Sequence, residues 1–194
     1  MSLPLHKIFQ LSTLEMNNTY KTMILAIGNA GGNMLDSIRR ETNQTRLKDA
    51  RYIFVDCNED DLNNHLTDNS ELILLDSGRD EFPNGVFGGI EKLVIVAGLG
   101  GKTGTKYAEL AAKSAIDAGI ASVNVIATLP FVFEGDSHVQ LATSAARKLS
   151  DINGVNVTVF KNEELLAKYP DLNFLNAFEA ADNEIVNLVQ RVIE

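Results

Sequence analysis

The chain has 194 residues, of which 45% are hydrophobic, and its formal charge is −9 with a pI near 4.8. This length supports one domain with its own core, and the acidic balance excludes broad contact with nucleic acid or with an anionic membrane, which requires excess lysine and arginine. The lone cysteine excludes an internal disulfide, and no stretch resembles a secretory signal or a spanning helix of about 20 apolar residues, so we expect a cytoplasmic protein without direct membrane insertion.

Residues 1–20 are the least defined part of the sequence. Leu5, Ile8 and Phe9 begin a helical spacing that Ser12 interrupts. We predict an N-terminal arm or a segment added to the natural chain, with a short docking helix as the alternative. Residues 21–194 then form the domain.

From Lys21 onward, short apolar runs alternate with segments of helical period, which is typical of an α/β domain with a parallel sheet. The apolar runs are nearly continuous, so we expect strands that helices cover on both faces, in a Rossmann-like, three-layer domain with a mostly parallel sheet of about six strands. The predicted strands are residues 22–27, 52–55, 72–75, 93–97, 123–127 and 155–160, and the predicted helices are residues 32–44, 103–118, 138–151 and 172–193. Residues 76–89 are predicted to be a loop with one helical turn.

Two glycine-rich turns each follow a predicted strand and precede a predicted helix. Residues 28–33 read Gly-Asn-Ala-Gly-Gly-Asn, and residues 97–105 read Ala-Gly-Leu-Gly-Gly-Lys-Thr-Gly-Thr. Glycine lets the backbone approach an anion closely, and the amides and dipole at a helix N-terminus favour negative charge. Right-handed crossovers place both turns at one sheet edge, so we expect them to converge on a polyphosphate. The alternative is that the glycines only make tight turns and helix caps.

Other polar residues do not indicate a metal site or a nucleophile. His6, His65 and His138 share no ligand spacing, and Cys57 lies in a polar turn between Asp56 and Asn58 with no histidine nearby in sequence. We therefore predict no structural zinc.

Several motifs together resemble the tubulin/FtsZ GTPase family, most closely its bacterial FtsZ branch. The chain has Gly31-Gly32-Asn33 in the first turn and Gly-Gly-Lys-Thr-Gly-Thr-Lys at residues 100–106. It also has Pro-Phe-Val-Phe-Glu-Gly at residues 130–135, and residues 177–183 look like the family's base-reading helix. The resemblance implies a tubulin/FtsZ nucleotide-binding domain that binds GTP or GDP, with Mg²⁺ accompanying GTP.

The resemblance also implies roles for individual residues. Glu134 matches a residue near the ribose, and His138 stands where the family usually has an arginine. Asn162 aligns with an asparagine that reads guanine. Lys102 and Lys106 replace glycines of the family motif. The resemblance assigns Gly31, Gly32 and Asn33 to the phosphates and Lys102, Thr103 and Gly104 to the main phosphate loop. Other residues of the two turns are also expected to bind the nucleotide: Gly28, Asn29, Gly100, Gly101 and Thr105. A helix cap is the alternative for Asn162.

Asp182 is the most informative carboxylate. Its spacing places it on one helical face with Phe178, Ile185 and Val189, where a carboxylate needs a partner. Guanine offers a ring N–H and an amine side by side, which one carboxylate can accept, and Phe178 one turn earlier could stack on the base. A salt bridge or a helix cap is the alternative role for Asp182.

The family pattern breaks at two places. Residues 76–89 lack an Ala-Gly-rich segment for the terminal phosphate, and the family's catalytic loop would follow the base-reading helix, beyond residue 194. We therefore predict no catalytic residue and weak or absent GTP hydrolysis, with an FtsZ-type filament or a homo-oligomer as partner. The alternatives are a GTPase completed by a partner chain, a dinucleotide-binding oxidoreductase, and a scaffold that has lost its ligand.

Overall fold

The computed structural model describes residues 20–41, 46–65, 70–169 and 174–193. Nearly all of the predicted N-terminal arm lies outside these residues, as do the predicted end of the first helix at Gln44 and the predicted start of the last at Leu172. The strands are β1 (Thr22–Ile27), β2 (Arg51–Asp56), β3 (Glu71–Leu74), β4 (Lys92–Gly98), β5 (Ser122–Leu129) and β6 (Val155–Lys161), and the α-helices are α1 (Gly28–Glu41), α2 (Glu59–Asn64), α3 (Lys102–Asp117), α4 (Asp136–Ser150), α5 (Glu163–Lys168) and α6 (Phe174–Ile193). Short 3₁₀ helices span Arg46–Asp49, Asn84–Phe87 and Val132–Glu134.

The six strands form one sheet in which every pairing is parallel. Their order is β3-β2-β1-β4-β5-β6, so β1 lies between β2 and β4, and the strand order reverses there. The predicted α/β class and all six predicted strands are confirmed. In an open parallel sheet, ligands bind beyond the carboxyl ends of the strands at such a reversal, and both glycine-rich turns follow the strands that flank it.

Each face of the sheet has its own core. Met23, Leu25 and Ile27 of β1 belong to the cluster that α3 and α4 cover, whereas Ile24 and Ala26 belong to the cluster covered by α1 and α6. Successive side chains of a strand point to opposite faces, so a nearly continuous apolar run serves both clusters.

The expectation that every strand would be covered on both faces is wrong for the two edge strands. β6 alternates between partly buried and exposed residues, and Val159 is 37% exposed; Leu74 in β3 is 38% exposed. The helices lie over the central strands, which leaves the outer strands only partly covered.

The first helix begins earlier than predicted. α1 starts at Gly28, so residues 28–33 form its first turns and are not a separate loop. Glycine is a weak helix former, which is why the sequence pattern placed the start at Gly32. Packing decides the outcome, because Leu35 and Ile38 of α1 are fully or nearly fully buried against the sheet. In the described part of the chain, no helix has the length and hydropathy to cross a membrane.

Candidate functional site

A cavity of about 520 Å³ lies where β1, β4 and β5 end. The first turns of α1 and α3 line it, together with residues from α6 and from the segments after β2 and β5. The predicted site residues that line it are Gly28, Asn29, Asn33, Gly101, Lys102, Thr103, Gly104, Glu134, His138, Asn162, Phe178 and Asp182.

The two glycine-rich turns are in direct contact. Gly28 has a φ of +77°, and a Cβ built on it would lie 3.0 Å from the backbone nitrogen of Gly104. Gly104 in turn lies against the carbonyl oxygen of Gly98, which leaves no space for a Cβ. The expected convergence of the two turns on one site is therefore present, and it depends on the absence of side chains at these positions.

Four predicted residues stand behind the cavity wall and do not line it. A Cβ on Gly31 would lie 2.9 Å from the Val96 carbonyl oxygen, and one on Gly32 would lie 2.7 Å from the His65 ring. Positions 29 and 33 share a face of α1, so Gly31 and Gly32 face the neighbouring strands and α2. In the second turn, the Gly100 N–H donates to Thr105 Oγ1 at 2.9 Å, which braces the turn from within.

The two lysines of the second turn have different surroundings. Lys102 is exposed, lines the cavity, and is the only lysine or arginine among the described residues that do so. Lys106 forms an ion pair with Asp80 at 2.8 Å and donates to the Ser77 carbonyl at 3.0 Å. Of the two lysines that replace family glycines, only Lys102 therefore lies at the cavity.

Tyr107 of α3 holds the loop of residues 76–89, which follows β3, against that helix. Its hydroxyl lies 2.6 Å from the Asp76 carbonyl oxygen and 3.1 Å from that of Arg79. Burial, followed by the neighbouring Cys57 thiol, raises the pKa of Tyr107 to about 12, so the hydroxyl remains a donor at neutral pH. Among the described side chains between Leu75 and Ile90, none lines the cavity.

Three carboxylates that line the cavity each accept a hydrogen bond within a turn. Asp56 is buried, and its Oδ1 accepts from Thr103 Oγ1 at 3.1 Å and from the Asn58 N–H at 3.0 Å. Asp61 Oδ2 accepts from the Asn58 side-chain amide at 3.0 Å, and Glu134 Oε1 accepts from the Phe131 N–H at 2.7 Å. Within the described residues, no cluster of three or more His, Cys, Asp and Glu side chains is arranged to hold a metal ion.

Asn162 offers an unused acceptor in the cavity wall. It is only 6% exposed, and its buried Oδ1 has no hydrogen-bond partner among the residues that the structure describes. It precedes α5, but its side chain makes no capping bond. The helix-cap alternative is therefore wrong for the side chain. A buried polar atom without a partner costs free energy, so a ligand that donates to it would fit this wall.

Asp182 lies where α6 reaches the cavity. Burial raises the pKa of its carboxyl to about 7; Asp36 and Glu179 add to this shift, whereas Arg40 and His65 oppose it. No ion pair or cap involving Asp182 forms with another described residue, so those alternatives are not realised. Phe178, one turn earlier, is 46% exposed and contacts the Phe131 ring edge-on, with the centroids 5.2 Å apart.

Several cavity residues were not among those predicted to bind nucleotide. Asp56 and Asn58 were interpreted as part of a polar turn, although their place directly after the second predicted strand was a signal for the cavity edge of the sheet. Others come from helix faces and strand ends whose exposure only the packed fold determines: Ala30, Met34, Asp61, Gly98, Leu99, Thr128, Pro130 and Ala181.

No protein-family model matches the chain. The cell division protein FtsZ of Coxiella burnetii is 34% identical over 106 residues, which cover 55% of this chain and 27% of that protein. FtsZ of Buchnera aphidicola subsp. Schizaphis graminum is 26% identical over 199 residues, which cover 93% of this chain and 50% of that protein. The chain therefore spans no more than half of the length of these two relatives.

Solved structures give the same result for the fold. An FtsZ dimer from M. jannaschii superposes with a TM-score of 0.73 at 22% identity, over 88% of this chain and 53% of that one. In sequence and in fold, the chain is similar to members of the tubulin/FtsZ family. CetZ2 from Haloferax volcanii, solved as a GTPγS-bound protofilament, superposes with a TM-score of 0.69 at 20% identity, over 89% of this chain and 57% of that one. The resemblance that the motifs indicated is confirmed, and the parallel sheet is that of the family's nucleotide-binding domain.

Proposed function

We propose that residues 21–194 form a domain that binds a guanine nucleotide, GDP or GTP, in the cavity at the ends of β1 and β4. The observation that carries this proposal is the backbone contact between the two glycine-rich turns, Gly28 against Gly104, beside Lys102. Amides at the start of α1 and α3 and one lysine then surround the phosphates. Charge-assisted hydrogen bonds of this kind are the strong ones.

The other part of the cavity wall supports guanine as the base. The Asp182 carboxylate can accept from the ring N–H and the amine of guanine together, and adenine offers no such pair. The unpaired Asn162 Oδ1 lies in the same wall, and Phe178 presents an exposed ring at its rim. Related proteins support the assignment, since CetZ2 was solved with GTPγS bound.

We further propose that hydrolysis by this chain alone is weak or absent. Asp56, Asp61 and Glu134 each accept a hydrogen bond that holds a turn, so none is poised as a base toward a phosphate. Phosphoryl transfer depends on positioned water and electrostatic stabilisation, which binding alone does not supply. Mg²⁺ would enter with GTP, held chiefly by the nucleotide's phosphates and by water.

An FtsZ-type filament or a second copy of this chain is the proposed partner. The related structures include a dimer and a protofilament. Sedimentation of the protein with GDP or GTP, alone and with a full-length FtsZ-type protein, tests this part. Phosphate release measured in the same mixtures shows whether a partner completes a GTPase.

Titration with fluorescent GDP and GTP, with ATP as competitor, tests the binding proposal. We expect saturable binding that unlabelled GDP displaces and ATP does not. Asp182→Ala should abolish the guanine preference, whereas Asp117→Ala, which removes an exposed carboxylate from the far end of α3, should leave binding unchanged. No binding by the folded wild-type protein would refute the proposal and favour a scaffold that has lost its ligand.

A further inference from the structure

His65 occupies a buried position that the sequence pattern did not indicate. It caps the C-terminus of α2 and is only 6% exposed. Its ring meets Phe54 edge-on, with the centroids 5.1 Å apart. On the other side it lies against Gly32, where a Cβ would come within 2.7 Å of ring carbon Cδ2. The glycine at position 32 therefore makes room for the His65 ring.

Both ring nitrogens of His65 are bonded to side chains of α1. Nδ1 lies 2.7 Å from Asp36 Oδ2, and Nε2 lies 2.9 Å from Asn29 Oδ1. Asn29 is one of the residues that line the cavity, in the first turn of α1. The three side chains thus form a chain of hydrogen bonds from Asp36 to the cavity wall.

The polarity of this chain decides what Asn29 offers to a ligand. Nδ1 faces a carboxylate oxygen and Nε2 faces the amide oxygen of Asn29, and both oxygens are hydrogen-bond acceptors, so in this arrangement each ring nitrogen donates. Because the side-chain oxygen of Asn29 faces His65, its NH₂ group does not take part in this hydrogen bond. That group has no hydrogen-bond partner among the described residues, and it belongs to a side chain that lines the cavity. An NH₂ group attracts a phosphate oxygen, whereas an amide oxygen in its place would repel it.

We propose that His65 is a positioning residue for ligand binding: bonded between Asp36 and Asn29, it turns the Asn29 amide so that its NH₂ group serves the phosphate end of the nucleotide. This inference rests on the proposed function for the identity of the ligand. The orientation of the Asn29 amide is independent of the proposed function, because it is a property of the ligand-free protein. The charged groups around His65 are Asp36 on α1, which bonds it, and Asp182 on α6, whose carboxyl it influences through space.

Nitrogen NMR of the ligand-free protein tests the orientation directly. We expect Nε2 of His65 to donate its proton to the Asn29 side-chain oxygen, as in the arrangement of the structure. We also expect His65→Gln, which keeps an N–H donor in this position, to leave the Asn29 side-chain amide signals close to their wild-type values. An unprotonated Nε2 that accepts from the Asn29 NH₂ group would overturn the proposal, whether or not the protein binds nucleotide.

A double-mutant cycle with fluorescent GDP tests the consequence. His65→Leu and Asn29→Ala should each weaken binding by about tenfold, the value of a hydrogen bond to a charged acceptor. Because His65 acts through Asn29, the double variant should bind no more weakly than Asn29→Ala. Asn63→Ala, an exposed change on α2, is the matched control and should bind as wild type.

Additive losses in the cycle would overturn the positioning role, because they would mean that His65 acts independently of Asn29. If His65→Leu does not fold, His65→Gln replaces it, and near-wild-type affinity is then expected. If the wild-type protein binds no GDP, the proposed function fails, and the NMR result alone then decides the orientation of Asn29.

Discussion

Guanine binding should weaken as the pH falls through 7, because it requires the ionised form of Asp182. A neutral carboxyl group cannot accept from both the ring N–H and the amine of guanine. Burial, aided by Asp36 and Glu179, raises the pKa of Asp182 to about 7. Roughly one-tenth of the protein is then ionised at pH 6 and roughly nine-tenths at pH 8. The apparent affinity for GDP should therefore rise about tenfold between these two values.

Titration with fluorescent GDP at pH 6, 7 and 8 and constant ionic strength measures this effect. The phosphates of GDP also titrate near pH 6, so the profile needs a reference in which only the carboxylate is missing. Asp182→Asn is that reference, since an amide is uncharged throughout. We expect the ratio of wild-type to Asp182→Asn affinity to grow with pH. Parallel profiles for the two proteins would refute the role of Asp182, as would tighter wild-type binding at pH 6.

The same carboxyl group should affect the stability of the ligand-free protein in the opposite direction. Its folded-state pKa of about 7 lies above the ordinary value of 3.8, so the folded state holds the proton more tightly than the unfolded state does. The contribution of this group to the free energy of unfolding is complete below about pH 4 and is lost as the pH rises through 7. Asp182→Asn should therefore gain stability relative to wild type between pH 5 and pH 8 in urea unfolding, and no such change would contradict the buried position of the carboxylate.

Three further outcomes are expected. Gly104→Ala should lower the free energy of unfolding by at least about 1 kcal/mol, despite the better helix propensity of alanine, because the new Cβ meets the Gly98 carbonyl. The Cβ of Gly101→Ala meets nothing within 4 Å, so this control should unfold in urea like wild type. Tyr107→Phe should cost about 1 kcal/mol and speed amide exchange at residues 75–79; unchanged exchange would contradict the tether. Lys102→Ala should weaken GDP binding about tenfold and reduce its salt dependence, and Lys113→Ala, paired with Glu109 farther along α3, should do neither.

The fold could be predicted because its signals are local. The apolar run at residues 22–27 gave β1 with its observed limits, and the other five strands were recognised in the same way. The glycine-rich turns were recognisable because few other residues permit a φ of +77° or the contact between Gly28 and Gly104. The two edge strands were misjudged, since an apolar run does not reveal how much of it the helices will cover.

The site could be predicted only in part. Gly28 and Gly32 look equivalent in the sequence, yet one meets Gly104 at the cavity and the other makes room for His65. Lys102 and Lys106 both replace glycines of the family motif, yet Asp80, distant in sequence, pairs with Lys106. Asn162 had two interpretations, a contact to guanine and a helix cap, and only the structure shows that its buried Oδ1 has no hydrogen-bond partner among the described residues. In each case the deciding neighbour comes from a different element.

The sequence by itself determined the α/β class, the positions of the strands along the chain, the two glycine-rich turns and the resemblance to the family, because periodicity, backbone freedom and motif order belong to short segments. Tertiary structure alone decided which face of α1 meets the cavity, which lysine lines the cavity, and that Asp36, His65 and Asn29 form one chain of hydrogen bonds. The physical reason is that the pKa of Asp182, the orientation of Asn29 and the partners of a lysine depend on charges and packed atoms a few ångströms away. Crossovers of the chain, and not sequence distance, bring those atoms together.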